Sequence, residues 1–550
     1  MGATPLTNRM DTMTRTRRLL RPATLTLLGG LALVAGSTAC HPDLIENPPN
    51  IIVADNLYTN LTGFEAGLNA LYFQARRERY GLDNSTNDIL STGMTIGTDN
   101  GFGLYLSPTE RIFSEFGVRN QPLDGYISQL WNWNYQTINA ANTIIARAEN
   151  PDVQWTAADK ARVLGEAHFF RAWCYRHLTY LYGDVPLKLD ESSGSDVRTD
   201  FVRVPRDSVR RFIINELKIA DANLPNVSTN PGKVTRAVAD HYLAEMYLAL
   251  DKPDSAALYA QKVINSGDYK LITARYGVNA NKPGVAFMDQ FQDGNVNRTQ
   301  GNTEVLWAWE YAENVIGGGG SIMRRTWVTR YESNPGMAIS FDNGGRGIGR
   351  LGITKYGLTL YEPNDVRGGQ YAIRRFYQYN TTARLPAGKK LGDTLKTVAA
   401  AEKLSDPLRP STRKWDWVDP NDTTGAAQYN DQPYLRLAET YLLLAEAQLK
   451  LGLPGDAATT LNVVRARSGA STVTAAQVTL AFILDERSRE LVTEEERRYT
   501  LLRTGTWLAR VKQYNPLAAP VVTLRDTLLP VPQAVIDANT GLRMPQNPGF

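Results

Sequence analysis

Cysteine and histidine are nearly missing from this chain. Two Cys and four His stand among 550 residues, so at most one disulfide is available, and His41, His168, His177 and His241 show no HExxH or other metal-ligand spacing. Charge of one sign is scarce as well: the formal net charge is +4 with 21% charged residues, which leaves no basic surplus for nucleic acid. Beyond residue 39 no apolar run is long enough to span a bilayer. Neither GxSxG nor a P-loop Lys-Ser/Thr occurs. Gly347, Gly349 and Gly352 do spell GxGxxG, but without a clear strand before, a helical pattern after or an acidic residue about twenty positions on. A dinucleotide site is therefore not expected. The run GGGG at 317–320 has no lysine placed for phosphate and reads as a flexible loop.

What the chain does have is aromatic residues, 10 Trp and 26 Tyr among them. These suit either core packing or platforms for flat ligands, and composition does not separate the two. The N-terminus is more informative. Arg15, Arg17, Arg18 and Arg21 precede an uncharged stretch, ATLTLLGGLALVAGSTA, at 23–39. A basic segment, a short apolar segment and a small-residue exit make an export signal rather than a membrane span. Ser37, Thr38 and Ala39 before Cys40 resemble the lipobox of bacterial lipoproteins, with Ser37 where leucine is usual. The expectation is a signal peptide at 1–39 and a lipidated tether at 40–55, with acyl chains on Cys40. TRRLLR at 16–21 also resembles a twin-arginine signal. With Cys40 lipidated, Cys174 has no disulfide partner and is expected to be a small buried hydrophobe.

Helical periodicity begins with EAHFFRAWCYRHLTYL at 166–181, where Ala167, Phe170, Cys174, His177 and Leu181 recur at steps of three and four. Gly183 and Pro186 end it. SVRRFIINELKIADANLP, RAVADHYLAEMYLAL and SAALYAQKVINSG read as three more helices. Ala237, Ala244, Ala249, Ala256 and Ala260 let the last two approach closely, like the pairs of a tetratricopeptide repeat. The pattern returns in YLRLAETYLLLAEAQLKLG at 434–452, AATTLNVVRARSG, and AFILDERSRELVTEEERRYTLLRTG at 481–505. Glu446, Glu486 and Glu490 with Arg465, Arg487 and Arg498 are expected to pair between packed helices rather than serve as acid and base. Residues 276–430 differ: they are rich in Gly, Asn, Asp, Pro and aromatics, a composition of loops and short strands where binding usually resides.

Four blocks resemble the signature of the SusD/RagB family: GEAHFFRAWCYRHLTYLYGDVPL, YLRLAETYLLLAEAQLKLG with NVVRARSG, ILDERSRELVTEEERRYTLLRTG, and LLPVPQAVIDANTGLRMPQNPGF at the end. QLWNWNYQTINAANTII at 129–145 resembles an earlier family helix, and the blocks keep family order along the chain. The departure is EEERR at 494–498, where the family tends to have a glycine and an aromatic.

The resemblance implies a mainly α, SusD-like fold of tetratricopeptide-like helix pairs carrying an irregular ligand region. The expected parts are a helical portion at 56–275, a loop-rich ligand region at 276–430 and helical pairs with the terminal motif at 431–550, together one unit. It further implies an outer-membrane lipoprotein facing the exterior. Such a protein captures an oligosaccharide without chemistry or cofactor and passes it to a SusC-like, TonB-dependent transporter. Peptide or other cargo, a protein-only scaffold and a glycoside hydrolase are the alternatives. Acidic residues soon after the lipidated cysteine, here Asp43 and Glu46, fit that export route.

No cargo residue carries over from the family by motif. Composition and region nominate Asp99, Asn100, Phe102 and Tyr105 from one segment, and Trp307, Trp309, Tyr311, Trp327 and Tyr331 around the glycine-rich loop. Sugar C–H faces stack on such rings, and hydroxyls bond to Asn, Asp and Arg. Alternation puts Trp307, Trp309 and Tyr311 on one face of a strand, where one or more would instead be core.

Overall fold

Each helical stripe becomes a helix with identifiable ends in the computed structural model, which describes residues 54–79, 91–104, 108–192, 197–398 and 408–550. Cys40, Asp43, Glu46 and Tyr105 lie outside the described residues. Helix α1, Leu61–Arg76, starts at Asn60, whose side chain accepts from the Gly63 amide at 3.2 Å. Helix α2, Gly125–Arg147, starts at Asp124, which accepts from the Tyr126 amide. Helix α3, Ala157–Tyr182, starts at Thr156 and stops at Gly183 with φ of +74°. That left-handed turn favours glycine, and a Cβ there would come within 2.9 Å of Leu528. Helices α4 (Arg206–Asn223), α5 (Arg236–Ala249) and α6 (Pro253–Asn265) follow, the last opening on a proline whose missing N–H costs a first turn nothing. After the loop-rich region come α7 (Leu437–Lys450), α8 (Pro454–Arg467), α9 (Leu480–Leu491), α10 (Arg497–Arg503) and α11 (Trp507–Tyr514).

From α2 to α8 each helix packs on the next, and α6 meets α7 although residues 266–436 intervene. The two helical regions therefore form one continuous stack, and the loop-rich segment is an excursion from it. Ala244, Ala256 and Ala260 are fully buried where α5 meets α6, the close approach small side chains allow. Helix α3 is buried on all sides from Gly165 to Tyr182 except at His168, the burial pattern of a central helix. Cys174 lies within it, buried and unpaired. Residues 54–550 make one compact unit. Among the described residues, no helix is long and apolar enough to cross a membrane.

Among the described residues the strands are short and pair in twos, all antiparallel. They are β1 (Gly101–Gly103) with β3 (Leu351–Ile353), β2 (Val305–Trp309) with β8 (Gln432–Arg436), β4 (Ile373–Arg374) with β7 (Ser411–Thr412), and β5 (Phe376–Gln378) with β6 (Thr394–Lys396). Two details correct the periodicity. Residues 434–436, expected as the first turn of a helix, are strand, because the ladder to β2 claims their backbone before α7 begins. The late charged row is two helices, broken where Thr493 takes φ of +68°.

The break exists to place charge. Arg436, buried at the end of β8, meets Glu304 at 2.6 Å, Glu490 at 2.9 Å and Glu494 at 2.7 Å. Lys414 shares Glu494, Arg467 shares Glu304 and Glu490, and Arg367 joins Asp365, Glu486 and Glu490. Burial alone would raise Glu490, but Arg467, Arg436 and Arg367 hold it below its ordinary value. Glu486 pairs with Arg465, Arg487 with Glu495 and Glu446 with Arg503, so these charges fix helix register as expected. Arg498 is the exception. It donates to the carbonyls of Asp526 and Thr527 and lies 4.6 Å from the Trp507 ring centre.

The terminal motif closes the stack. Asn547 donates to the carbonyl of Tyr182, one of the orphan acceptors at the end of α3, at 2.9 Å and to that of Leu529 at 2.7 Å. Gln546 exchanges two hydrogen bonds with the Val531 backbone, and Arg525 covers the Phe550 ring at 4.6 Å.

Candidate functional site

Most side chains nominated from the sequence prove to be structural. Asp99 is fully buried in a bidentate pair with Arg497, 2.8 Å on each oxygen, and is also met by Arg510 at 2.5 Å. Burial pushes its carboxyl up, and the two guanidinium groups more than offset that, holding it below the usual range. Asn100 is buried in the turn before β1, its carbonyl accepting from the Thr354 amide. Phe102 is buried within β1, with Arg409 at 5.1 Å from its ring centre.

Trp307 packs edge-on to Phe169, Trp173 and Tyr434, and its indole N–H donates to the Gly232 carbonyl at 2.9 Å. Trp309 stacks on Tyr434 at 4.0 Å with 10° between the planes. Strand β2 is buried at all five positions, and register shifts on either side of Trp307 break its simple alternation. Trp327 is buried, and Tyr331 stacks on Tyr377 at 4.7 Å. These rings and Asp99 face protein on every side, so none offers a free face to a ligand. Sequence alternation identifies one face of a strand but not whether α3 and β8 will cover it.

Tyr311 is different. It floors an open groove of about 860 Å³ between α1 and the glycine-rich loop. One wall is the α1 face bearing Asn69, Tyr72, Phe73 and Arg76; the other is the run from Glu310 to Gly318, with Asp431 beneath. The loop is pinned by three contacts: Arg76 donates to the Gly317 carbonyl at 2.6 Å, Ala312 to that of Gly318 and Gly318 to that of Val315. A Cβ at Gly318 would lie 2.2 Å from the Ala312 carbonyl oxygen, so glycine is required for this turn. The segment expected to be flexible is thus a built wall. Its tip carries Val315 and Ile316, both exposed and apolar.

Electrostatics mark the same groove. Burial, and then the neighbouring Asp431, push the Glu310 carboxyl up to about 7 against the pull of Arg76. Asp431 is raised chiefly by burial, and both its oxygens are engaged, by the Tyr311 amide at 3.1 Å and by Asn297 Nδ2 at 2.6 Å. Burial lowers Arg76 from its ordinary value, against Tyr311, Glu310 and Asp431. Glu310 and Arg76 thus offer an acceptor and a donor beside apolar Phe73, Val315 and Ile316, which suits a ligand with hydroxyls and C–H faces. Sequence spacing could not find this set, because its members come from positions near 70, 310 and 431. A second cleft, of about 420 Å³, has Trp131, Tyr135 and Phe201 along its lining.

Comparison with known proteins places this fold. The model of the SusD family matches residues 303–550, and a model described as starch-binding, associating with the outer membrane, matches residues 104–248. SusD-like protein P2 of Formosa agariphila is 25% identical over 535 residues, covering 92% of this chain and 96% of the relative. The starch-binding protein SusD of Bacteroides thetaiotaomicron is 27% identical over 437 residues, covering 72% of this chain and 74% of its own length. Among solved structures, a laminarin-binding SusD-like protein aligns with a TM-score of 0.68 at 22% identity, over 90% of this chain and all of its own. The surface glycan-binding protein A of Bacteroides thetaiotaomicron also aligns at 0.68, at 20% identity and with the same coverage.

Proposed function

The chain belongs to the SusD family, and on that premise we propose that it is a cell-surface lipoprotein that captures an oligosaccharide in the Arg76–Glu310 groove. It hands that cargo to a TonB-dependent, SusC-like transporter in the outer membrane. The carrying observation is the groove itself: a rigid glycine-built wall, one acceptor and one donor partly withdrawn from water, and an apolar lip. Relatives named for starch, laminarin and glycan binding support carbohydrate as the ligand class. In this reading the helix stack at 56–275 and 431–550 is the scaffold, 276–430 supplies the ligand face, and acyl chains on Cys40 hold the protein to the membrane.

Binding without turnover is part of the proposal. Glu310, held near 7, has the acidity that a general acid needs. Glycoside cleavage also needs a second free carboxylate, and Asp431 has both oxygens occupied by protein donors. The test is calorimetric titration with starch-type and laminarin-type oligosaccharides and a peptide panel, together with an assay for released reducing ends. Saturable binding that Arg76→Ala and Glu310→Ala weaken at least about tenfold, and Tyr135→Ala leaves alone, supports the groove. Catalytic release of reducing ends, or no oligosaccharide binding at all, would sink the reading; loss only with Tyr135→Ala would move the site to the second cleft.

A further inference from the structure

Away from the groove, three residues distant in sequence converge in the core. Among the described residues, Glu78, His177 and Glu496 bring donor atoms within 4.8 Å of one another. Glu78 lies in the turn after α1, His177 on the buried α3, and Glu496 directly before α10, so the cluster joins both ends of the chain's fold. We propose that these residues hold a structural divalent ion of the zinc class, with a ring nitrogen of His177 and one oxygen from each glutamate as ligands. Imidazole with carboxylates is a donor set for zinc and its first-row neighbours, and the softer sulfur ligands play no part.

Hydrogen bonding inside the cluster is incomplete in the way an ion would complete it. His177 is wholly buried, its Nδ1 lies 3.4 Å from Glu496 Oε1 and 2.9 Å from the Tyr499 hydroxyl, and its Nε2 has no hydrogen-bond partner. Glu496 Oε1, also shielded from solvent, has none either. Leaving a buried polar atom unpartnered is costly, and a bound ion would relieve that cost at Glu496 Oε1. Arg176 is divided between Glu245 at 2.8 Å and Glu496 at 2.5 Å. Glu78 accepts from the Tyr434 hydroxyl at 2.7 Å, which orients one of its oxygens as second-sphere donors do in metal sites.

The position also accounts for EEERR. In that run Glu494 serves Arg436 and Lys414, Glu495 serves Arg487 and Arg497, Arg497 serves Asp99 and Arg498 serves the Asp526 and Thr527 carbonyls, while Glu496 shares Arg176 with Glu245 and turns toward His177. No local spacing announces such a site, because its ligands are separated by about one hundred and about three hundred residues.

The test uses the full chain purified without a polyhistidine tag, incubated with Zn2+ or Mn2+, desalted, and assayed by elemental mass spectrometry. About one ion per chain should be retained, and chelation should lower the melting temperature. Glu496→Gln and His177→Phe should each lose the ion. Substitution of Co2+ into the wild type should give a visible absorption band from nitrogen and oxygen ligation, a readout that needs no variant to fold. A wild-type chain that retains no ion and melts identically with and without chelator overturns the proposal. So does a folded Glu496→Gln chain that keeps its ion.

Discussion

Changing Trp307 to alanine separates the two roles a tryptophan could have here. In the structure its ring is enclosed by Phe169, Phe170 and Trp173 of α3 and by Trp309 and Tyr434 of the β2–β8 ladder. Truncating a buried Trp to Ala costs ~3–5 kcal/mol, with transfer and cavity contributions together. The Gly232 carbonyl also loses its donor, adding ~1 kcal/mol. For a unit of roughly 500 residues, at about 2.1 cal/mol/K of unfolding entropy per residue, a loss of ~5 kcal/mol lowers the melting temperature by about 5 °C. Melting is followed by circular dichroism, and oligosaccharide affinity is measured by titration well below the transition. Affinity per folded molecule should stay within about twofold of wild type. A melting temperature within about 1 °C of wild type, combined with a tenfold loss of affinity, would refute the core assignment and restore Trp307 as a ligand platform.

Four further outcomes follow from the same contacts. Cys40→Ala should yield exported protein without acyl chains, read by intact mass; a variant that still carries lipid removes the anchor assignment. Glu310 is held near 7 when folded against 4.5 ordinarily, so the folded chain keeps a proton that the unfolded chain has already released. Its contribution is complete below the ordinary value and is lost as pH rises through 7. Glu310→Gln should therefore flatten the decline in melting temperature between about pH 5 and 8, by the equivalent of on the order of 1 kcal/mol after solvent screening. Asn547→Ala removes two donors from buried carbonyls and should cost ~2–3 kcal/mol in urea unfolding; an unchanged midpoint would mean the terminal motif is decorative. Arg436→Met takes one cation from each of Glu304, Glu490 and Glu494, leaving them to Arg467, Arg367 and Lys414, and should destabilise by ~3–5 kcal/mol; wild-type stability would show that the remaining cations suffice.

The parts of the fold legible in the sequence were those decided locally. The stripe through Phe170, Cys174 and Leu181 is set by helical periodicity alone, and Gly183 ends it for a backbone reason visible in one residue. The pairing of Glu486 with Arg465 and Glu446 with Arg503 could be anticipated as a type of contact, because charges on apolar helices need partners. What stayed hidden depends on which distant surface arrives. Trp309 looks like a platform until Tyr434 lies flat against it. Tyr434 in turn looks helical until β2 captures it. The groove escaped for the same reason: GGGG suggests freedom, and Arg76, from another part of the chain, joins two backbone bonds inside the loop in turning it into a wall.

The contact from Asn547 to Tyr182 joins positions 365 residues apart, and it concerns timing as much as stability. The ribosome makes the acceptor long before the donor, so this contact at the end of α3 cannot form until Asn547 has emerged. A chain cut before Asn547 leaves the Leu529 carbonyl without this donor and the Tyr182 carbonyl with Arg203 alone, so the seam should open more readily to proteolysis. The contact therefore belongs to the late steps of folding, since the segment between its two partners must be in place before it can form.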